Sequence, residues 1–331
     1  MDNVSLRTGC PAYIPGIETS YGYVPSEGAG IAFVVIFGVS SLLHLGQTIW
    51  SRQWWTILFA IGGLTEVIGW AGRLWSAYCP YNTNAFLMQI TTLILAPTFW
   101  TAALYVILGR LITLSGPSTS PLSPRTYLIA FCTADVVSLI LQAVGGGMAS
   151  VAASDTPAGD TAPGTNIMVA GIVFQMAAIT VFCALFAVFL KRTVRAAGRC
   201  GEGEGREVTP LSARVKVLVV ATTASIAFIY VRSIYRTIEL LEGWDGYLIT
   251  HEVYFVVLDG AMMVCAVAVF NLVHPGWFLV GGDGQNGAQG GRAGKKMSEV
   301  EMESRPFSTA STVEAGGGEE KEGTKTPRTD V

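Results

Sequence analysis

Charge is what this chain has least of. Aspartate, glutamate, lysine and arginine make up 14% of its 331 residues, while 51% are hydrophobic. A soluble domain carries roughly 25% charged residues. That deficit excludes an ordinary water-soluble globule and points to a multi-span membrane protein, whose outside is mostly covered by lipid. Net charge is −3, and no basic strip interleaved with aromatics occurs, which sets nucleic-acid binding aside. There are only three histidines: His44 and His274 fall toward one membrane face and His251 toward the other. A zinc hydrolase, which needs its ligands at one depth, is therefore not expected. Nucleophile elbows and Gly-rich phosphate loops are missing, and "GEGEG" at 201–205 is acidic enough to repel phosphate. A retinal-type protein would need a lysine within a span, where the seventh offers Asp259. The six cysteines show no metal-ligand spacing. The reading is a non-enzyme with neither cofactor nor metal. The N-terminus lacks the charged start and apolar core of a cleavable signal peptide.

What the chain does have is long apolar runs. A membrane helix needs about 20 mostly apolar residues to cross about 30 Å. Seven stretches qualify, near 28–49, 55–74, 85–109, 127–148, 167–190, 215–235 and 252–274. The expected fold is all-α, a polytopic seven-transmembrane helix bundle. No internal repeat supports an inverted-repeat transporter. Residues 281–331 are rich in Gly, Glu, Lys, Ser and Thr, a composition that cannot offset chain entropy and predicts disorder. The chain thus divides into an N-terminal segment 1–27, a membrane domain 28–280 and a tail 281–331.

Loop lysines and arginines set the expected orientation. The odd-numbered connections carry Arg52, Arg110, Arg125, Lys191, Arg192, Arg195, Arg199, Arg206, Arg214 and Lys216, and the tail is basic as well as acidic. The opposite side has little: 75–84 has no Lys or Arg, and 150–166 has only Asp155 and Asp160 as charges. The tail is then cytosolic and the N-terminus outside, where Asn3-Val4-Ser5 forms a glycosylation sequon. Cys10 and Cys79 alone fall on the oxidising side, so they are the pair expected to bridge.

Polar residues within the spans carry the functional reading. Glu66/Arg73, Asp135/Gln142, Arg232/Glu239 and Glu252/Asp259 are each seven residues apart in four different spans. Seven residues is almost two helical turns, so each pair shares a face about 10 Å apart along its axis. Gln89, Gln175 and Arg236 join at similar depths, giving an inward polar stripe in the outer half of the bundle. A lipid-facing charge costs roughly 2.5–3.5 kcal/mol on insertion scales, so these groups must face each other, water or a ligand. Arg73 is placed to meet Glu239 or Glu252, and Glu66 to meet Asp135, Asp259 or a ligand amine. Five of the charged members are acidic and three basic, so pairing leaves carboxylates over. The plainer alternative is structural, since buried polar residues tie helices together at about 0.6 kcal/mol per bond. Pro97 is expected to kink span 3 and free a carbonyl. Gly145-Gly146-Gly147 reads as a helix terminus or gate, and Trp50, Trp54 and Trp55 as an interfacial belt.

Several of these stretches carry a resemblance. "YVPS" at 23–26, "EVIGWAGR" at 66–73 and "LILAPTFWTAALYVILGRLI" at 93–112 are followed by "DVVSLILQAVGGGMA" at 135–149 and "GIVFQ" at 171–175. "RSIYRTIELLEGWDG" at 232–246 and "EVYFVVLDGAMM" at 252–263 complete the series. In this order and spacing the chain resembles the fungal RTA-like family of lipid-translocating exporters over roughly residues 20–280. The resemblance implies seven spans, a plasma or related membrane, and the export or flipping of sphingoid bases and other amphipaths, with porphyrin traffic in some members. The expected partners are membrane lipids or amphipathic small molecules, with the polar stripe as headgroup site; the oligomeric state stays open. The alternatives are a seven-helix lipid or stress sensor and a regulator without transport of its own.

Overall fold

A computed structural model describes residues 7–17, 19–116, 119–154, 159–198, 212–243 and 246–279. The Asn3 sequon and the tail 281–331 lie outside these residues. Among them there is no strand. Seven helices are long and apolar enough to cross a membrane: α1 Glu27–Ser51, α2 Ile57–Tyr78, α3 Thr83–Ser115, α4 Pro124–Ser154, α5 Ala162–Gly198, α6 Ala213–Leu241 and α7, which runs from Glu252 to Leu272. Most of the helices outrun the apolar runs that predict them, whereas α7 ends at Leu272, two residues short of its run. α3 has 33 residues and α5 has 37, and 33 residues extend roughly 50 Å. Hydropathy marks only the lipid-crossing part of each helix, whereas polar capping continues it beyond.

The caps are readable residue by residue. Ser26 Oγ accepts from the Ala29 N–H at the start of α1, and Ser212 Oγ from Val215 at the start of α6. Asn82 Oδ1 accepts from both Asn84 and Ala85 to open α3. Each satisfies backbone donors that a helix start leaves free. Pro124 opens α4, where its missing N–H costs nothing.

Consecutive helices pack side by side, and α7 closes the ring by packing on α6 and touching α1. The interior is aromatic: Phe33, Phe37, Phe59, Trp70, Trp100, Tyr105, Phe182 and Phe270 are buried. The outside is apolar as well, with Val35, Val39, Leu42 and Ile49 of α1, Val151 of α4 and Val220 of α6 exposed. An apolar surface on this scale is a lipid-facing surface.

α4 does not end at its three glycines; it runs on to Ser154. Gly145 marks instead the closest approach of α4 to α5. A methyl group there would lie 2.3 Å from the Met168 amide nitrogen and 2.6 Å from the Gly164 carbonyl. Small residues at such crossings let helix backbones touch, which replaces the hydrophobic drive that lipid removes. Gly147, two residues on, has nothing within 4 Å of the same position.

The N-terminal segment is folded onto the bundle. The structure pairs Cys10 with Cys79, their Cα atoms 4.5 Å apart, at the end of α2. Tyr81 OH accepts from the Ile14 N–H and donates to the Ile14 carbonyl, both at 3.0 Å, and Asn82 Nδ2 donates to the Gly9 carbonyl at 3.1 Å. Beyond these anchors the strap carries Tyr21 and Pro25 into buried positions before α1 begins.

Gly145→Ala is expected to lower the thermal midpoint in detergent, because the methyl must push two backbones apart. Gly147→Ala is expected to raise it slightly, since alanine is better than glycine inside a helix by about 1 kcal/mol. Equal shifts would show that the α4–α5 crossing is not held at Gly145. Peptide mapping of the unreduced protein is expected to yield a linked Cys10–Cys79 peptide; free thiols at both positions would exclude the bridge.

Candidate functional site

The polar side chains of the spans meet in two connected layers. In the outer layer Arg73 of α2 is fully buried. Its Nη2 donates to Tyr23 OH at 2.7 Å and reaches Glu252 Oε1 of α7 at 2.9 Å, while Nη1 donates to Gln89 Oε1 of α3 at 3.5 Å. Gln89 also accepts from Tyr21 OH at 2.7 Å, and that hydroxyl lies 3.0 Å from Ser76 Oγ. Burial pushes the Tyr21 phenol up to about 12, so it stays protonated and remains a donor. Four aromatic rings surround the guanidinium, Phe255 at 4.4 Å and Tyr21, Tyr23 and Trp70 at 5.5–5.9 Å. Ring faces attract a desolvated cation at such distances. The strap closes the same point, for the Ser26 N–H donates to Glu252 Oε1 at 2.8 Å.

The inner layer is built around Arg232 of α6. Its Nη2 donates to the Leu93 carbonyl of α3 at 2.6 Å. Leu93 is four residues before Pro97, so its carbonyl has lost the helical N–H it would otherwise accept. Arg232 Nε stands 2.9 Å from Asp259 Oδ1 of α7. That approach is an ion pair by distance, but the N–H does not point at the oxygen, so neither Nε nor the Asp259 oxygens make a hydrogen bond. Arg236 Nη1 pairs with Glu239 Oε2 at 2.6 Å, and its Nε lies 3.8 Å from Asp259. Tyr235 OH donates to the other Glu239 oxygen at 2.9 Å. Asp259 sits in a π-helical stretch of α7, Phe255–Ala261. Such wider turns re-aim a side chain and recur at functional positions. The next residue, Gly260, lets α7 close on Trp70 and Phe33, which a methyl group would meet at 2.6 and 2.8 Å.

Glu66 of α2 belongs to this inner layer. It is fully buried, and neither carboxyl oxygen has a hydrogen-bond partner among the described residues. The charged groups near enough to act on it are Asp259, Arg232 and Arg236. The structure places Asp135 elsewhere, with its Oδ2 accepting from Thr101 and Tyr105 hydroxyls of α3, each at 3.0 Å. Gln142 Nε2 donates to Gln175 Oε1 at 3.1 Å, joining α4 to α5. Asp135, Gln142, Gln175, Arg232 and Arg236 all line one cavity of about 30 Å³, room for a water molecule or two.

The eleven polar residues expected to face inward are thus brought into one connected region. Arg73 meets Glu252 rather than Glu239, and Glu66 neighbours Asp259 rather than Asp135. The residues that sequence reasoning missed are mostly hydroxyls: Tyr21, Tyr23, Ser76, Thr101, Tyr105 and Tyr235. Tyr23 stood in "YVPS", Thr101 and Tyr105 in the 93–112 stretch and Tyr235 in the 232–246 stretch without being singled out there, and Tyr21 and Ser76 stood in no noted motif. The three histidines do not converge, since His251 stacks on Tyr247 whereas His44 and His274 stand near each other in another part of the fold.

Arg232→Met removes one partner from a buried ion pair and leaves Asp259 uncompensated, which costs about 3–5 kcal/mol in comparable cases. The double variant Arg232→Met, Asp259→Leu removes both charges and is expected to recover most of that loss in a thermal-unfolding cycle. Additive losses would show that the two side chains are not coupled.

The family described as RTA1 like protein matches residues 59–281. The sphingoid long-chain base transporter RSB1 of Saccharomyces cerevisiae is 33% identical over 286 residues, covering 78% of this chain and 74% of that protein. Protein RTA1 of the same yeast is 29% identical, covering 77% and 84%, and its protoporphyrin uptake protein 1 is 28% identical, covering 76% and 90%. No solved structure matches the chain. With that family match over most of the chain, and seven apolar helices in the fold, the chain is a multi-pass membrane protein of the RTA1-like family.

Proposed function

We propose that this protein moves amphipathic lipids of the sphingoid-base type across a membrane, and that the buried polar region receives their headgroups. The observation that carries this reading is Glu66, a fully buried carboxyl group whose two oxygens make no formed hydrogen bond among the described residues, the Trp70 indole one turn on being the nearest donor. Of the five acidic groups, Glu252, Glu239 and Asp259 are each set against an arginine and Asp135 against two hydroxyls, which leaves Glu66 over. A protonated primary amine supplies three donors and one positive charge, the complement of that group. The alkyl tail has no such requirement and stays in lipid among the exposed Val, Leu and Ile side chains. The naming of one relative for sphingoid bases and another for protoporphyrin supports an amphipathic cargo.

Orientation and location belong to the same proposal. The loop arginines favour an outer N-terminus and a cytosolic tail, and the family resemblance favours the plasma membrane. With no ATP-binding motif in the sequence, movement would be passive, ion-coupled or a downstream effect.

The test is reconstitution into liposomes with a fluorescent sphingoid base and a fluorescent neutral lipid. Wild-type protein is expected to move the amine probe. A hydrogen bond to a charged group is worth about 1.5–3 kcal/mol, so Glu66→Gln is expected to slow that movement by about 10- to 100-fold at equal protein content. Unchanged movement in Glu66→Gln would remove this site. Binding of the probe without movement in wild type would favour the sensor alternative.

A further inference from the structure

About 25 Å along α1 from its first turn, two imidazoles stand together. His44 lies near the end of α1, and His274 follows α7 directly. Both are fully buried, and their ring centres are 6.3 Å apart. None of the four ring nitrogens makes a hydrogen bond among the described residues. The walls are aromatic: Phe59 stacks on His44 at 5.2 Å and packs against Phe270 at 4.8 Å, and Trp277 lies 5.3 Å from His274. Leaving one buried donor or acceptor unsatisfied costs about 1–3 kcal/mol, so two such rings side by side call for a shared occupant.

We propose that His44 and His274 together bind one monovalent copper ion. Metal–nitrogen bonds of about 2.0 Å, added to about 1.1 Å from nitrogen to ring centre, put two imidazoles on a straight axis roughly 6.2 Å apart. A tetrahedral angle would bring the centres to roughly 5 Å. A direct N–H···N bond of about 2.9 Å would also give roughly 5 Å. The observed 6.3 Å fits the straight arrangement of a two-coordinate d¹⁰ monovalent ion; one bridging water at about 2.8 Å from each nitrogen gives nearly the same separation, and the copper measurement below separates the two. Zinc asks for four ligands, and among the described residues no group of three or more His, Cys, Asp or Glu is placed to hold a metal. Magnesium and calcium ask for oxygen and water, which aromatic walls do not offer.

The surroundings fit ligation. The Val267 carbonyl of α7 is near enough to act on the His44 ring, and a metal-bound imidazole commonly turns its other N–H to a backbone carbonyl. Nearby, Gln47 Nε2 of α1 donates to the Asn271 carbonyl at 2.8 Å, so the ion would join two helix ends already held in register. This site is independent of the lipid site and would clip α1 to the end of α7.

Cysteine is the chief competitor for Cu(I), so the test uses the full-length chain with Cys132, Cys183, Cys200 and Cys265 changed to Ser and Cys10 and Cys79 kept. The purified protein is offered Cu(I) from a chromogenic chelator under reducing conditions. The expected result is one copper per chain with a two-nitrogen X-ray absorption signature. His44→Gln and His274→Gln, each added to the same chain and checked for normal elution, are expected to lose that copper. No retained copper in the histidine-intact chain, or a signature of oxygen or sulfur neighbours alone, would overturn the proposal without recourse to the variants. Copper retained equally in both histidine variants would overturn it as well.

Discussion

The arrangement of this bundle depends on one guanidinium. Arg232 ties three helices at a single depth, holding the α3 backbone through Leu93 and α7 through Asp259 from its own place on α6. Pro97 makes the first contact available, because only a proline four residues on leaves that carbonyl without a helical donor. The π-helical stretch of α7 and Gly260 make the second, by setting Asp259 on a helix that closes tightly on Trp70 and Phe33. An interior arginine cannot be neutralised by losing its proton, so its partners are obligatory. Proline, glycine and a wide helical turn, each unfavourable in an isolated helix, are here the local departures that supply those partners.

The outer layer repeats the logic with a different supplier. Arg73 needs acceptors that the spans alone do not provide, and the N-terminal strap delivers Tyr23, with Tyr21 completing the Gln89 network behind it. The strap is held at Cys10, Ile14 and Gly9 before it reaches the site and at Ser26 after it. Its tyrosines are thus fixed at both ends over the polar region. On the proposed reading, a headgroup reaching the inner layer from that side passes Tyr21, Tyr23, Arg73 and Glu252, which makes the strap part of the proposed site's wall.

The number of helices and the residues facing inward were legible in the sequence because lipid enforces both. An apolar run of about 20 residues has few other uses, and a charge within it has nowhere to go but inward. Partner choice was less legible. Helical periodicity fixes which residues share a face, but rotation and tilt of each helix decide which faces meet, and those follow from close contacts such as Gly145 with Gly164 and Gly260 with Trp70. Thus Glu239 went to Arg236 on its own helix, and Asp135 to Thr101 and Tyr105. Hydroxyls were missed for a related reason: threonine and tyrosine are ordinary in membrane helices and carry no penalty that marks them. The strap was missed because a short polar segment outside a membrane has no periodicity to read.

The distribution of charge is the argument for the proposed cation-receiving role over a purely structural one. A lattice kept only to tie helices would reach lowest energy with each carboxylate matched, since an unmatched buried charge costs more than the tie returns. Here the matched groups lie on α2, α6 and α7, and the unmatched Glu66 sits beside Asp259, another acid, with Arg232 and Arg236 already engaged. In the empty protein a proton on Glu66 relieves that arrangement; on the proposed reading, an ammonium group placed between Glu66 and Asp259 takes that role and engages both acids at once. For the lipid the same contact offsets the loss of water around its amine, the main cost of carrying such a molecule through hydrocarbon. On the proposed reading, the surplus acid and the passenger's charge are two halves of one interaction, which offsets the cost of carrying the amine through the membrane.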